Sequence, residues 1–346
     1  MRILLFHPTL LPPRDYGGVE RVLLWLAKGL VERGHSVFVA ALRGSVLPDG
    51  CELVEVLEEK AYSAKEFNSS KATRHELSAS LNLKMPAGLD MIHFMAPVSP
   101  EVWTQLQCPA ILTVHGNAKP GEQYPKNSVF LSQDHARRHG AEMFIYNGID
   151  PSEYKFSPGS KQDSYLFLSK TNWRVKNLSG AIRYCAKACA NLKIAGGNRP
   201  YLKRLSCNFR PNLKWIGPVN GDYKAKLLAE AKALIFPVAW PEPFGLVVAE
   251  AFISGTPVLA SRKGSLPELV PPDVGALFDT EKEWIEFLRK VKGKLLPWEP
   301  ERCREWALSQ FHYAKMAEAY EQAYKLVIAG ELLNQEAPLG GNWRDQ

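Results

Sequence analysis

Two glutamates form the pattern in this chain that most clearly suggests chemistry. Glu242 and Glu250 stand eight positions apart, on either side of a Pro-Phe-Gly turn. The apolar run 233–238 is too short for a helix and is followed by prolines, so it predicts a buried strand. Apolar residues continue over 245–254 until Gly255, a natural helix stop. We therefore predict a strand, a tight loop carrying one carboxylate and a buried helix carrying the other.

The start of this helix is suited to an anion. The backbone amides of Phe244, Gly245 and Leu246 would be first-turn donors at the positive end of the helix dipole. Gly245 leaves room for an anion to approach the backbone. Glu250 lies little more than one turn into the helix, among apolar residues where an unpaired charge is costly. Glu242 and Glu250 would then bind hydroxyl groups on either side of a phosphate.

Each glutamate also has a purely structural interpretation. Glu250 could pair with a buried arginine or lysine, and Glu242 could be a solvated loop carboxylate. For either glutamate taken singly, the structural interpretation is about as well supported as the interpretation as a ligand site. The two carboxylates together, around one turn, favour the ligand site.

A second candidate group consists of three cations. Lys170, Arg174 and Lys176 follow the apolar stretch 165–170 in a loop that leads to a helix. Cations at the carboxyl edge of a parallel strand suit a diphosphate. The alternative is three exposed basic side chains.

The N-terminal part of the chain begins with a strand, a helix and a second strand, which imply a parallel sheet. Gly17 and Gly18 fall where the first strand leads into the helix, the usual ligand edge of such a sheet. As a glycine-rich loop this pair is a weak signal, because the G-x-G-x-x-G spacing is absent. His115 ends a nearly continuous apolar strand and would point into the crevice, whereas His93 is predicted to be packed.

Strands alternate with helices in both halves of the chain, which predicts an α/β fold with two doubly wound sheets. Asn147-Gly148 supplies a turn and Asp150-Pro151 a further break, so a domain boundary is predicted near 150. Ser265 and Glu268 have the spacing of a helix capping box. Residues 334–346 are polar and glycine-rich and are predicted to be disordered.

Composition limits the class of protein. The 346 residues carry 43 Lys and Arg against 36 Asp and Glu, a net charge of +7 that attracts anions. No nucleic-acid motif accompanies the charge, so nucleic acid is not expected as a partner. The six cysteines form no C-x-x-C pair, which argues against a zinc site or a disulfide framework.

No stretch has the length of a membrane span and no signal peptide is evident, so a cytoplasmic protein is expected. The basic stretch 58–86 is interpreted as a solvated face. The alternative is a helix in peripheral contact with an anionic membrane, at its inner face.

The stretch from Glu242 to Glu250, EPFGLVVAE, resembles the signature of the retaining glycosyltransferases of family 4. Gly17-Gly18-Val19-Glu20 resembles the Gly-Gly-x-Glu motif of that family, which lies by the donor phosphates and the acceptor. The sequence TVHG around His115 is similar to the family's segment whose histidine contacts the donor sugar. The motifs cover both halves of the chain.

The resemblance implies a GT-B architecture, two Rossmann-like domains facing a central cleft. The first domain would span 1–150 and the nucleotide-sugar domain 151–311, with a C-terminal helix at about 312–333 packing back on the first domain. Glu250 would hold the ribose, Glu242 the transferred sugar, and Lys170 and Lys176 the diphosphate, with help from Arg174. The family usually has Gly-Arg where this chain has Ser169-Lys170, and lysine gives up bidentate phosphate binding.

The predicted function is that of a retaining hexosyltransferase which moves a sugar from a nucleoside diphosphate sugar to an acceptor hydroxyl. The acceptor is a sugar, glycan, lipid or small molecule that the sequence does not identify. No cofactor is expected, and no D-x-D type metal site is evident. Three alternatives stay open: a sugar-nucleotide epimerase or phosphorylase of the same fold, a non-catalytic nucleotide-sugar-binding protein, and a dinucleotide oxidoreductase, which is disfavoured because G-x-G-x-x-G is missing.

Overall fold

The computed structural model describes residues 1–13, 17–56, 85–98, 100–197 and 211–341. Its contacts divide the chain into two compact units. The first unit contains Met1–Ile149 and the returning segment that starts at Tyr313, and the second contains Asp150–His312. The chain therefore leaves the first unit once and comes back to it.

The first unit is built on a six-stranded parallel sheet of order β3-β2-β1-β4-β5-β6. The central strands are buried on both faces, which is why their sequences are continuous apolar runs. This order is the dinucleotide-binding order, and it reverses between β1 and β4. The strands are β1 Arg2–Phe6, β2 Ser36–Ala41, β3 Cys51–Glu55, β4 Met91–Phe94, β5 Ala110–Thr113 and β6 Ser128–Val129, and the helices are α1 Gly18–Glu32, α2 Pro100–Gln105 and α3 Gln133–Arg138.

The second unit repeats the plan, with sheet order β12-β11-β10-β7-β8-β9, again entirely parallel. The order now reverses between β7 and β10, so the ligand edge is expected where these two strands end. The strands are β7 Tyr165–Leu168, β8 Leu192–Ala195, β9 Leu213–Gly217, β10 Leu234–Phe236, β11 Val258–Ser261 and β12 Gly275–Phe278. The helices are α4 Leu178–Ala188, α5 Gly221–Glu230, α6 Leu246–Ile253, α7 Leu266–Leu269, α8 Glu281–Lys290 and α9 Pro300–Phe311.

The last helix, α10 Tyr313–Ile328, belongs to the first unit and packs on α1. The two helices approach closely because Gly29 has no side chain: a Cβ there would lie 2.7 Å from that of Ala317. Glu321 of α10 accepts a hydrogen bond from Arg33 at the end of α1.

The segment after α10 differs from the prediction of a disordered tail over 334–346. Asn334 is 1% exposed, and its amide donates to the carbonyls of Lys126 and Ser128 at 2.6 and 2.8 Å. Further along, the Leu339 amide donates to the His139 carbonyl at 2.9 Å. The hydrogen bonds of Asn334 hold the segment beside the edge strand β6, and a polar residue of this kind was not recognisable as ordered from composition. Residues 342–346 lie outside the described ranges.

The basic stretch 58–86 falls almost entirely outside the described ranges. Within those ranges, every helix is too short or too polar to span a lipid bilayer.

A buried hydrogen-bonded network ties α10 to the first sheet. His93 Nδ1 lies 2.7 Å from the Tyr324 hydroxyl, and His93 Nε2 lies 2.7 Å from Thr113 Oγ1. Thr113 Oγ1 also lies 2.7 Å from the Tyr320 hydroxyl. Burial lowers the pKa of the His93 imidazole to about 3. The prediction that His93 is packed is confirmed, and the ring is neutral at neutral pH.

This network predicts a pH dependence of stability. An unfolded histidine titrates near pH 6.5, so below that pH the unfolded chain binds a proton that folded His93 does not. The free energy of unfolding should then fall with falling pH towards 3, by about 1.4 kcal/mol per pH unit for this group. In urea unfolding between pH 7 and 4, His93→Gln should be less stable than the wild type at pH 7 but show a flatter pH dependence. Parallel curves would contradict the assignment.

Candidate active site

Two loops at the ligand edge of the second sheet are joined to one another. The loop 169–177 follows β7 and the loop 237–245 follows β10, the neighbouring strands at which the order reverses. Asn177 Nδ2 donates to the Pro237 carbonyl at 2.9 Å, and the Ala239 amide donates to the Val175 carbonyl at 2.8 Å. The two loops therefore form one hydrogen-bonded structure.

Glu242 lies within this structure and is held by two donors. Lys176 Nζ is 2.8 and 2.7 Å from its two carboxylate oxygens, and Trp240 Nε1 donates to Oε2 at 2.6 Å. Glu242 is only 5% exposed, so the alternative of a solvated loop carboxylate is wrong. The structure thus brings together one predicted glutamate and one predicted lysine.

The Glu242 loop is braced from the segment after β11. The Ser265 amide donates to the Glu242 carbonyl at 2.9 Å, and the Ser265 hydroxyl donates to the Phe244 carbonyl at 3.1 Å. Gly264 has φ of +60°, and a Cβ there would lie 2.2 Å from the Glu242 backbone nitrogen. The capping box predicted for Ser265 and Glu268 does not form, because the serine hydroxyl is used on the loop instead.

Helix α6 begins directly after this loop. Gly245 is its N-cap residue, with φ of +78° and no side-chain cap, a conformation that favours glycine. Phe244 is 2% exposed and packs edge-on against Phe311 of α9. Leu246 is the first helical residue, so the amides of the first turn lie at the positive end of the helix. Phe244 precedes the N-cap, and anion binding by the amides at 244–246 stays a prediction.

Glu250 is buried on α6 and is bonded to two residues that the sequence did not indicate. Its Oε1 accepts from the Tyr154 hydroxyl at 2.8 Å and from Lys224 Nζ at 2.6 Å. The salt bridge weighed for Glu250 therefore exists in the ligand-free chain. Lys224 could have been found from the sequence, because it lies one helical turn before the buried Leu228, on the inward face of α5.

The other two predicted cations are placed differently from Lys176. Lys170 lies with its ammonium 4.5 Å from the centroid of the Trp173 ring. Arg174 is exposed and begins the 3-10 turn Arg174–Lys176. Lys170 and Arg174 stand in the same loop as Lys176, after β7.

In the first unit, Gly17 is the N-cap of α1 and Glu20 lies in its first turn. A Cβ on Gly17 would lie 2.7 Å from Glu20 Oε2 and 2.5 Å from a Pro13 side-chain carbon, so the loop needs glycine there. The negative charge of Glu20 also favours the helix N-terminus. Gly18 is the first helical residue, and residues 14–16 lie outside the described ranges.

His115 follows β5 in the first unit. Its Nε2 atom is buried and has no hydrogen-bond partner among the described residues. Burial, together with the nearby His7 and His93, lowers the pKa of the His115 imidazole to about 3. At neutral pH the ring is therefore uncharged.

Within the part of the chain that the structure describes, no three His, Cys, Asp or Glu side chains are grouped so that they could hold a metal ion.

Comparison with known families decides the class of protein. The family "Glycosyltransferase Family 4" matches residues 16–153, and the family "Glycosyl transferases group 1" matches residues 150–306. The chain belongs to the family 4, group 1 glycosyltransferases. The family resemblance inferred from the glutamate motif is thereby confirmed.

One curated relative and two solved structures match this glycosyltransferase over most of their length. An uncharacterised glycosyltransferase of Methanocaldococcus jannaschii is 27% identical over 323 residues, covering 77% of this chain and 82% of the relative. AviGT4, a glycosyltransferase involved in avilamycin A biosynthesis, is 23% identical with a TM-score of 0.74, over 95% of this chain and 98% of that one. HepE of Anabaena, solved with UDP-glucose, is 17% identical with a TM-score of 0.69, over 94% of this chain and 100% of HepE. The predicted two-domain, Rossmann-like GT-B fold is confirmed.

The bracing of the Glu242 loop can be tested with two glycines of this glycosyltransferase. Gly264 and Gly293 have similar φ of +60° and +67°, but a Cβ at Gly293 meets nothing within 4 Å. Gly293→Ala should therefore lower the free energy of unfolding by only about 1 kcal/mol, the cost of placing alanine in the left-handed conformation. Gly264→Ala should cost more than twice as much, because its Cβ would meet backbone atoms that have no space to move. Urea unfolding followed by tryptophan fluorescence measures both, and equal losses would contradict the bracing role.

Proposed function

We propose that this glycosyltransferase transfers a hexose from a nucleoside diphosphate sugar to an acceptor hydroxyl, with retention of configuration and without a metal ion. The observation that carries the proposal is the joined pair of loops at the ligand edge of the second sheet. They set Lys176 and Glu242 beside the N-terminus of α6, on which Glu250 lies one turn further. Phosphate, sugar and ribose contacts are thus available from one short segment.

The leaving diphosphate needs positive charge when the anomeric bond breaks. We assign that role to Lys170, Arg174, Lys176 and the amides of residues 244–246. The Lys176 ammonium is bonded to Glu242, and an ammonium has three donors. Lys176 can therefore hold a phosphate oxygen and Glu242 at the same time.

Glu242 is assigned to the hydroxyls of the transferred sugar and Glu250 to those of the ribose. Glu242 is not assigned as a nucleophile, because Lys176 and Trp240 already hold its carboxylate. The bond from the anomeric carbon to the phosphate oxygen breaks on the face where the bond to the acceptor oxygen forms. The acceptor proton passes to the leaving phosphate.

The remaining roles stay with residues predicted from the sequence. His115 is assigned to the transferred sugar, as a neutral imidazole whose Nε2 has no partner among the described residues. Gly17, Gly18 and Glu20 are assigned to the phosphates and the acceptor. UDP-glucose bound in HepE supports a nucleotide sugar as donor and makes uracil a first base to test.

The donor site can be tested by isothermal titration calorimetry with UDP, GDP, ADP and CDP, each with magnesium and with EDTA. One nucleotide should bind in preference to the others, and EDTA should leave its affinity within about twofold, because lysines and helix amides neutralise the diphosphate. Loss of binding in EDTA would contradict the metal-independent mechanism. Binding of none would contradict the donor site.

Substitutions of the two glutamates should have different effects on nucleotide binding and on turnover. Glu250→Gln should weaken nucleoside diphosphate binding by about tenfold or more, since a hydrogen bond to a charged group contributes about 1.5–3 kcal/mol. Glu242→Gln should change that affinity little and should mainly slow turnover of the donor sugar. Calorimetry and the rate of nucleotide release from the nucleotide sugar measure the two effects.

The matched control is Glu281→Gln, which removes an exposed carboxylate that pairs with Arg183 and Lys187 on the same unit. Glu281→Gln should change neither the affinity for the nucleoside diphosphate nor the rate of nucleotide release. Small and equal effects from Glu242→Gln and Glu250→Gln would refute the assignment of both residues.

A further inference from the structure

The carboxylate of Glu250 is held by a lysine whose role the proposed function does not assign. Lys224 Nζ and the Tyr154 hydroxyl donate to the same oxygen, Oε1, at 2.6 and 2.8 Å. The side chain of Lys224 is 12% exposed and that of Glu250 only 3%. This is a nearly dry ion pair with a second donor, at the residue that we assign to the ribose.

The ion pair determines the charge that a ligand meets. Glu250 is surrounded on α6 by buried apolar residues, and an uncompensated carboxylate in such a place takes up a proton. The Lys224 ammonium at 2.6 Å compensates the negative charge of the carboxylate, and an opposite charge so close favours the ionised form. An ionised carboxylate only accepts hydrogen bonds, and it accepts them from hydroxyls about twice as strongly as a neutral group does.

The same two donors also fix the orientation of the carboxylate. Tyr154 follows the 3-10 turn Pro151–Glu153, whereas Lys224 lies on α5, so the two donors come from separate segments. Both donors meet the same carboxylate oxygen, Oε1. The arrangement therefore suits a carboxylate that accepts hydrogen bonds from two neighbouring hydroxyls on one side.

We propose that Lys224 is a positioning residue that determines sugar specificity in the nucleotide: by keeping Glu250 ionised and oriented, it makes the site select ribonucleotides over 2′-deoxyribonucleotides. The inference rests on the proposed function, since it needs Glu250 to bind the ribose. A neutral or misoriented Glu250 would distinguish the two nucleotides poorly. Lys224 acts in this proposal through its contact with the carboxylate.

The test compares ribonucleotide, deoxyribonucleotide and pyrophosphate binding on the full-length chain by calorimetry. The probes are UDP with 2′-deoxy-UDP, the same pairs with guanine, adenine and cytosine, and inorganic pyrophosphate. The wild type should prefer one ribonucleotide over its deoxy form by about tenfold or more. In Lys224→Met, affinity for the ribonucleotide should fall by about tenfold, the deoxy form should change less than threefold, and pyrophosphate should not change.

Three further variants keep the outcome interpretable. Lys226→Met removes an exposed lysine two positions along the same helix, which pairs with Glu230 at 3.7 Å, and should change nothing. Lys224→Arg keeps a cation and should retain most of the ribose preference. Tyr154→Phe removes one donor but leaves the charge and should reduce the preference only partly. Thermal unfolding establishes whether each variant is folded. If Lys224→Met is not folded, Lys224→Arg and Tyr154→Phe decide the outcome of the test.

The outcomes separate the inference from the function on which it rests. An unchanged ribose preference in Lys224→Met, or an equal loss for all three ligand types, would overturn the inference while leaving the donor site intact. If Lys224→Met does not fold, the inference would be overturned by a ribose preference that is unchanged in Tyr154→Phe or lost in Lys224→Arg. A wild type that binds UDP and 2′-deoxy-UDP equally well would overturn the ribose role of Glu250 and the inference with it. A wild type that binds none of the nucleotides would refute the proposed function itself.

Discussion

A buried carboxylate needs a cation, and this constraint organises the ligand edge of the second unit. Glu242 and Glu250 are both nearly inaccessible to solvent, and each is bonded to a lysine. The partner of Glu242 is 66 residues away in sequence and that of Glu250 is 26 residues away. Breaking such a pair typically costs about 3–5 kcal/mol, because it leaves one charge buried alone. The loops and helices that carry these four residues are therefore held in a single arrangement.

The same constraint affects how a ligand enters. The positive charge of Lys176 is matched by Glu242, so a diphosphate oxygen would share the ammonium with that carboxylate. Under the proposed function a complete nucleotide sugar brings both a phosphate for Lys176 and hydroxyls for Glu242. The product nucleotide brings only the phosphate. A site built on internal ion pairs thus favours the ligand that satisfies both partners at once.

Local patterns in the sequence predicted the fold well, and the glutamate unit is the clearest case. The predicted strand, loop and buried helix correspond to β10, the Glu242 loop and α6. The pairing of Lys176 with Glu242, and of Tyr154 and Lys224 with Glu250, was not predicted. Periodicity reports which face of an element is buried, but not which distant element covers it. The ordered segment after α10 was missed for a related reason, since a few hydrogen bonds from Asn334 leave no compositional trace.

The departure at Lys170, where the family usually has an arginine, shows how such a substitution can be accommodated. Arginine binds phosphate through two parallel hydrogen bonds, whereas lysine is a point charge on a flexible chain. Here the Lys170 ammonium lies 4.5 Å from the Trp173 ring centroid, and that of Lys176 lies 5.2 Å from the Trp240 ring centroid. A cation over an aromatic face is attracted by about 0.5–2 kcal/mol, enough to limit where each chain goes. The tryptophans of the two joined loops therefore help to limit the positions of the two ammonium groups, together with the Glu242 carboxylate at Lys176.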